Sequence, residues 1–431
     1  MTGTTVQDHG DDRIDDRTRE LIKHLSGNND RLPFPMQRST PFDPPPEYAE
    51  LRSKCPVAPA TLYGKNAWLI TKYDDVREAL QNEALSADIT HPHFPLTPGM
   101  KAGVEAAGGG NIGSFLKMDP PEHDDLRRML TRDFMVKRVE AMRPRIQKLV
   151  DDLIDEMLAG PKPADLFEAL ASPMPNTVIC WLLGVPQSDH AFFEDRTRYA
   201  FKRDVPDDVR MEKTVELNGY VFGLVNQRID DPDLDPEADI ISRLVHDQLR
   251  SGRLNRNEVH AMAMLMLVAG HETTGNQAAL GTLALIQHPE QFKALGQDPG
   301  LAPGAVEELM RYLTINDDPN YRFAKEDTVI GGRQIKAGEG VQPLTFSANR
   351  DESHYDNPDV LDIRRGVRDH FGFGYGIHQC LGQPLARVEL QVFYETVARR
   401  IPTLRLAVPL EEVSFKTDAD IYGVWSLPVT W

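Results

Sequence analysis

The sequence predicts a mainly helical protein with small peripheral sheets, and three observations carry that reading. Hydrophobic periodicity from Glu122 to about Gln287 is almost wholly helical, broken at Gly160–Pro163, Pro186, Pro206 and Pro232–Pro236. Inside it, the run from Asn255 to Gln287 would be about 48 Å long at 1.5 Å per residue, enough to pass through the body of a globular protein. Strand-like runs lie only at the flanks, at NAWLITKY, around 327–348 and at the C-terminus.

Each element has a local reason. EYAELRSKCPV reads as a first helix that must end before Pro56, and NAWLITKY as a strand followed by a helix at Asp74–Gln81. Residues 1–30 read as a flexible acidic segment, and the proline-rich stretch Leu32–Pro46 as an extended strap. The Gly/Pro-rich segment 88–117 is long for a structureless stretch, which suits a binding loop or lid. Asn255 and Glu258 have the spacing of an N-cap and its N3 partner, and Pro289 stops the long helix. AMAMLMLVAG, Ala261–Gly270, is apolar on every side, as a buried helix would be. No internal repeat is visible, so residues 31–431 are expected to form a single catalytic domain.

Composition narrows the function. Apolar residues make up 40% of the 431, enough for a large core, and 66 acidic against 48 basic residues give a net charge of -18, the wrong sign for a nucleic-acid binder. Cys55, Cys180 and Cys380 are far apart and show neither a disulfide framework nor paired zinc spacing, which suits a reducing, cytoplasmic setting. The polar N-terminus is unlike a signal peptide or anchor, and the apolar run Ala261–Ala269 is too short to span a bilayer. No membrane partner is expected, and any electron donor would have to be soluble.

The decisive stretch is Phe373-Gly374-Tyr375-Gly376-Ile377-His378-Gln379-Cys380-Leu381-Gly382. A cysteine that ligates a metal must be ionised and shielded, and a helix N-terminus with free backbone N–H groups stabilises a thiolate. Cys380 sits just before a helix whose first turns include Leu381 and Gly382. Gly374, Gly376 and Gly382 permit turns and close approach to a flat macrocycle, and Phe373 can pack against the sulfur. A Rossmann reading fails, because no strand precedes the glycines. Cys55 and Cys180 read as inert core residues. A second constellation, Ala269-Gly270-His271-Glu272-Thr273-Thr274, puts an acid beside a hydroxyl in the middle of an apolar helix, which costs free energy unless a partner or a function offsets it. Ala269 and Gly270 open space beside the helix where dioxygen could sit; Thr273 could hydrogen-bond to it and Glu272 relay protons.

These residues resemble the cytochrome P-450 family, whose F-G-x-G-x-H-x-C-x-G signature is filled at every position and whose acid–alcohol pattern A-G-x-E-T-T matches Ala269–Thr274. The resemblance runs from about Phe34 to the C-terminus and is greatest to soluble actinobacterial members, many of which act in secondary metabolism or on foreign compounds. It implies the family's fold and haem b (iron protoporphyrin IX), with Cys380 as iron ligand. It also implies insertion of one oxygen atom into an organic small molecule, a natural product or xenobiotic, with electrons from a separate ferredoxin and its reductase. Further implied are an E-x-x-R brace, Glu308 and Arg311 completed by Arg365, and four donors to the haem carboxylates: His123, Arg127, Arg322 and His378. Leu265, Val268, Ala269, Asn316 and Asp317 are expected to line the substrate pocket, with a further contribution from the Ile421–Tyr422 turn. The acidic Asp317 and Asp318 suggest a substrate with an amine or several hydroxyls. Alternatives on the same residues are nitric oxide reduction or peroxide-driven oxygenation, a haem sensor without turnover, and a non-haem oxidoreductase.

Overall fold

The computed structural model describes residues 14–96, 101, 104–105, 115–201, 206–316, 320–417, 419 and 421–431. Along the chain the main elements are α1 (Asp16–Ser26), β1 (Leu32–Phe34), α2 (Glu47–Lys54), β2 (Val57–Leu62), β3 (Lys65–Ile70), α3 (Tyr73–Gln81) and β4 (Leu85–Ser86). There follow α4 (Glu122–Thr131), α5 (Val136–Ala159), β5 (Ala164–Asp165), α6 (Pro173–Leu183), α7 (His190–Phe201), α8 (Asp207–Asp230), α9 (Arg256–Ile286), α10 (Pro289–Gln297) and α11 (Ala302–Leu313). The last third carries β6 (Arg322–Ala324), β7 (Thr328–Ile330), β8 (Arg333–Ile335), β9 (Gly340–Pro343), α12 (Gln383–Arg400), β10 (Arg405–Leu406) and β11 (Pro428–Thr430).

The chain divides into two compact units. The first draws on residues 1–110, 317–359 and 375–377 and holds a six-stranded sheet in the order β1-β2-β3-β9-β6-β4. Its centre is the β2–β3 hairpin, whose two-residue turn Tyr63-Gly64 has positive φ at both positions, the twist that antiparallel strands need. Leu32 pairs with Ala60, so the expected strap begins as an edge strand. Residues 16–26, expected to be loose, instead form a helix. Asp15 caps it through Thr18 N, Gly27 ends it in the left-handed region, and Ile22 is buried with Leu32, Tyr48, Leu51 and Cys55. Apolar anchoring outweighs the acidic composition there.

The second unit, from 111–316, 360–374 and 378–431, contains the helical bulk and a small sheet, β10-β11-β5. α9 runs through it, packed by α6, α8 and α12, while α5 lies along α12. The capping box at α9 is present in both directions, Asn255 accepting from Glu258 N and Glu258 from Asn255 N. One expectation about this helix fails: it is not buried all round, since Val268 is 42% exposed and Ala269 is exposed beside it. Val268 and Ala269 thus form an apolar strip on the helix. Among the described residues no helix is long and apolar enough to cross a membrane.

Candidate functional site

The cysteine loop is set by its backbone. Gly374 and Gly376 adopt φ of +69° and +72°, and a Cβ on Gly376 would fall 2.5 Å from the Leu80 carbonyl oxygen, so glycine is required there. At Gly382 φ is negative, and a Cβ would meet no protein atom closer than 4.0 Å, so no described protein contact demands glycine there. α12 also begins only at Gln383, which leaves Leu381 and Gly382 ahead of it. The Cys380 N–H donates to Phe373 O at 2.9 Å, closing the loop. Its sulfur lies deep among protein atoms yet keeps accessible surface. Burial pushes the thiol up, while hydrogen bonds from the Gly382 and Gln383 backbone and the charges of Arg127 and Arg387 pull the other way. Phe373 is buried, with the Arg387 guanidinium 4.4 Å over its ring.

Beside the cysteine, α4 presents His123 and Arg127 one turn apart. The His123 ring meets the His378 ring edge-on at 4.4 Å, and Arg127 donates to Gln379 O at 2.6 Å. His123 Nδ1 bonds to Asp124. His123 Nε2 and Arg127 Nη1 are buried with no hydrogen-bond partner among the described residues. Arg322 belongs to the other unit, buried on β6 opposite Val341, with Nη1 donating to Tyr321 O.

On α9 the acid–alcohol pair takes an unexpected form. Thr273 Oγ1 donates to Ala269 O at 2.7 Å, the back-bond of a threonine within a helix. Glu272 Oε1 accepts from Lys416 Nζ at 2.5 Å and from Asn276 Nδ2 at 2.9 Å. Gly270 was expected to open space for dioxygen, but its missing side chain makes room for Ile179, whose Cδ1 would lie 2.4 Å from a Cβ there. Ala269 alone of the two stays open. Leu265 is half-buried, and Asn316 is half-buried with Oδ1 lacking a partner among the described residues. Tyr422 is buried against Phe415, and its N–H donates to Ile315 O. Asp317, Asp318 and much of the 88–117 segment lie outside the described residues.

The brace is present. Glu308 and Arg311, both fully buried, pair at 2.8 Å, and Arg365 reaches Glu308 at 3.2 Å, with the Asp362 N–H on the same carboxylate. Sequence reasoning missed the neighbouring Glu307, which accepts from His370 at 3.0 Å and Arg387 at 2.7 Å. Burial pushes its carboxyl up, but those two hydrogen bonds and charges win and hold it at about 2. The doubled acid in Glu307-Glu308 was the available signal. Lys416 and Asn276 were also missed, and nothing local marks Lys416.

Residues 38–298 and 301–402 match the family model described as cytochrome P-450. The chain belongs to the cytochrome P-450 family. It is 49% identical over 407 residues to cytochrome P-450-SU2 of Streptomyces griseolus, covering 93% of this chain and 98% of that one. It is 44% identical to the vitamin D3 dihydroxylase of the same organism, covering 92% and 96%. The crystal structure of GfsF, whose curated counterpart comes from Streptomyces halstedii, superposes with a TM-score of 0.86 at 43% identity, covering 92% and 99%. This cytochrome P-450 is thus a monooxygenase that uses haem b, and the non-haem reading is set aside. Haem b carries two carboxylates, and the two orphaned donors at His123 and Arg127, beside a cysteine fed by backbone N–H groups, fit such a group.

Proposed function

We propose that this cytochrome P-450 inserts one atom of dioxygen into an apolar organic small molecule, a natural product or xenobiotic, with Cys380 as the thiolate ligand of its iron. The overall change is RH + O2 + 2 e⁻ + 2 H⁺ → ROH + H2O, with the two electrons supplied by a ferredoxin and its reductase. We place the protein in the cytoplasm and read residues 31–431 as one catalytic domain. The observation that carries the reading is the pairing of Cys380, supplied with N–H groups from Gly382 and Gln383, with buried donors on His123 and Arg127 that no described residue satisfies.

When bound, haem supplies iron for oxygen activation, and a thiolate ligand favours O–O cleavage. The protein's own part is local. Arg127 and His123 would offer N–H groups to the haem carboxylates, with His378 packed on His123. Phe373, at the start of the cysteine loop, is buried beneath the Arg387 guanidinium. Glu272 is the residue that would relay protons, and Thr273, whose Oγ1 donates to Ala269 O, carries the hydroxyl that would hydrogen-bond to dioxygen. Val268, Ala269 and Leu265 give an apolar wall, and Asn316 offers one polar anchor, together suiting a largely apolar substrate with a polar edge. The relative named as a vitamin D3 dihydroxylase supports that class.

The test is the absorbance of the reduced protein with carbon monoxide. A strongly red-shifted Soret band is expected, and Cys380→Ala should abolish it along with NADH-driven turnover through ferredoxin. Retention of the band in that variant would overturn the assignment.

A further inference from the structure

Lys416 is a buried cation beside α9 that nothing local in the sequence marks. Its side chain is 2% exposed, and its ammonium sits 4.9 Å over the Phe167 ring and 4.7 Å over the Trp425 ring. Glu272 is the one acidic side chain bonded to it among the described residues. A buried cation is tolerable only with a partner that neutralises it, so Glu272 is held by more than a single hydrogen bond.

The loop that carries Lys416 is fitted to this turn of α9. Phe415 bridges to Val424, Lys416 N donates to Gly423 O, and Trp425 N donates to Ser414 O. A Cβ on Gly423 would fall 1.8 Å from Asn276 Oδ1, so the loop lies flush against the residue that also binds Glu272. Asn276 holds both the carboxylate and the carbonyl oxygen of Glu272. The carboxylate is thereby turned toward the terminal loop, while Thr273 spends its hydroxyl on Ala269 O.

We propose that Lys416 is a positioning residue that clamps the Glu272 carboxylate against the 414–425 loop, and that release of this clamp limits proton delivery to the Thr273 side of α9. The proposal rests on the reading of Glu272 as proton donor. The ion pair and the Asn276 amide together fix the carboxylate in one direction.

The experiment uses purified holoprotein without substrate, because the substrate is unidentified. The protein is supplied with NADH, a ferredoxin and its reductase in air-saturated H2O or D2O buffer, and peroxide release (O2 + 2 e⁻ + 2 H⁺ → H2O2) is followed per NADH oxidised. Melting of the oxidised holoprotein is measured in parallel. With Lys416→Met, proton-dependent peroxide release should rise roughly tenfold, within the range that general acid catalysis spans. Glu272→Gln should slow it, and the double variant should match Glu272→Gln alone, since Lys416 acts through that carboxylate. Lys416→Arg keeps the charge and should stay near the wild-type rate, which covers the case in which the methionine variant folds poorly. Melting should fall in Lys416→Met and partly recover in the double variant. Lower melting with an unchanged rate would leave Lys416 a structural residue and overturn the proposal, as would a rate effect that persists in the Glu272→Gln background. If Glu272→Gln matches wild type, the proton-donor reading itself falls, and the clamp with it.

Discussion

The cysteine loop and the acid–alcohol turn of α9 are both short motifs in one chain, yet they are held in opposite ways. The loop from Phe373 to Gly382 is shaped by its own backbone: positive φ at Gly374 and Gly376, and a Cys380 N–H returned to Phe373 O. The turn at Glu272–Thr273 is ordinary helix whose key carboxylate is directed by Lys416, 144 residues away in sequence. A backbone-encoded site tolerates change in its surroundings, whereas one directed by a buried charge depends on a single distant partner.

The stiffest challenge to that contrast is the brace ahead of the loop. Arg311→Ala would leave the buried Glu308 with Arg365 and the Asp362 N–H but without its 2.8 Å ion pair, and a cost of about 3–5 kcal/mol is expected in unfolding of the holoprotein. A cost below about 1 kcal/mol, the size of a surface pair, would show that the loop's approach stands without its buried charges.

A second test concerns Glu389 on α12, the helix that follows the loop. Burial pushes its carboxyl up to about 8. The folded state therefore keeps a proton that the unfolded chain gives up near the ordinary glutamate value, so stability falls as pH rises between about 4.5 and 8 and is lowest above that window. Glu389→Gln should remove this slope and stabilise the protein at pH 9 by on the order of a few kcal/mol, with little change at pH 4. Parallel melting curves for the two proteins across that range would contradict the burial argument. Glu307 has the opposite sign: with its carboxyl held at about 2, its contribution is present above the ordinary value and is lost as pH falls toward 2.

Within the loop itself, Gly376→Ala should cost about 1–3 kcal/mol, because the new Cβ meets Leu80 O and the left-handed backbone resists a side chain. It should also reduce the red-shifted carbon monoxide band, whereas Gly382→Ala, which meets no close protein atom, should cost less in melting. Equal melting losses would remove the distinction between the two glycines. The smallest effect is expected at the start of α9, where Asn255→Ala removes one half of the capping box for about 1 kcal/mol of unfolding free energy.

What the sequence determined by itself was whatever depends on neighbours in the chain. The α9 capping box, the end of α2 before Pro56 and the pairing of Glu308 with Arg311 rest on interactions a few residues apart, so spacing alone specified them, whereas in the cysteine loop Gly376 also answers to the distant Leu80 carbonyl. Arg365 was reached only through family resemblance. Tertiary structure decided the rest. It turned Gly270 toward Ile179, put Arg387 over Phe373 and bound Glu272 to Lys416. It also drew Ile22 into a core that composition did not suggest. A side chain's direction and its ionic partner depend on which distant segments pack against it, and hydrophobic periodicity records which face is buried without recording what buries it.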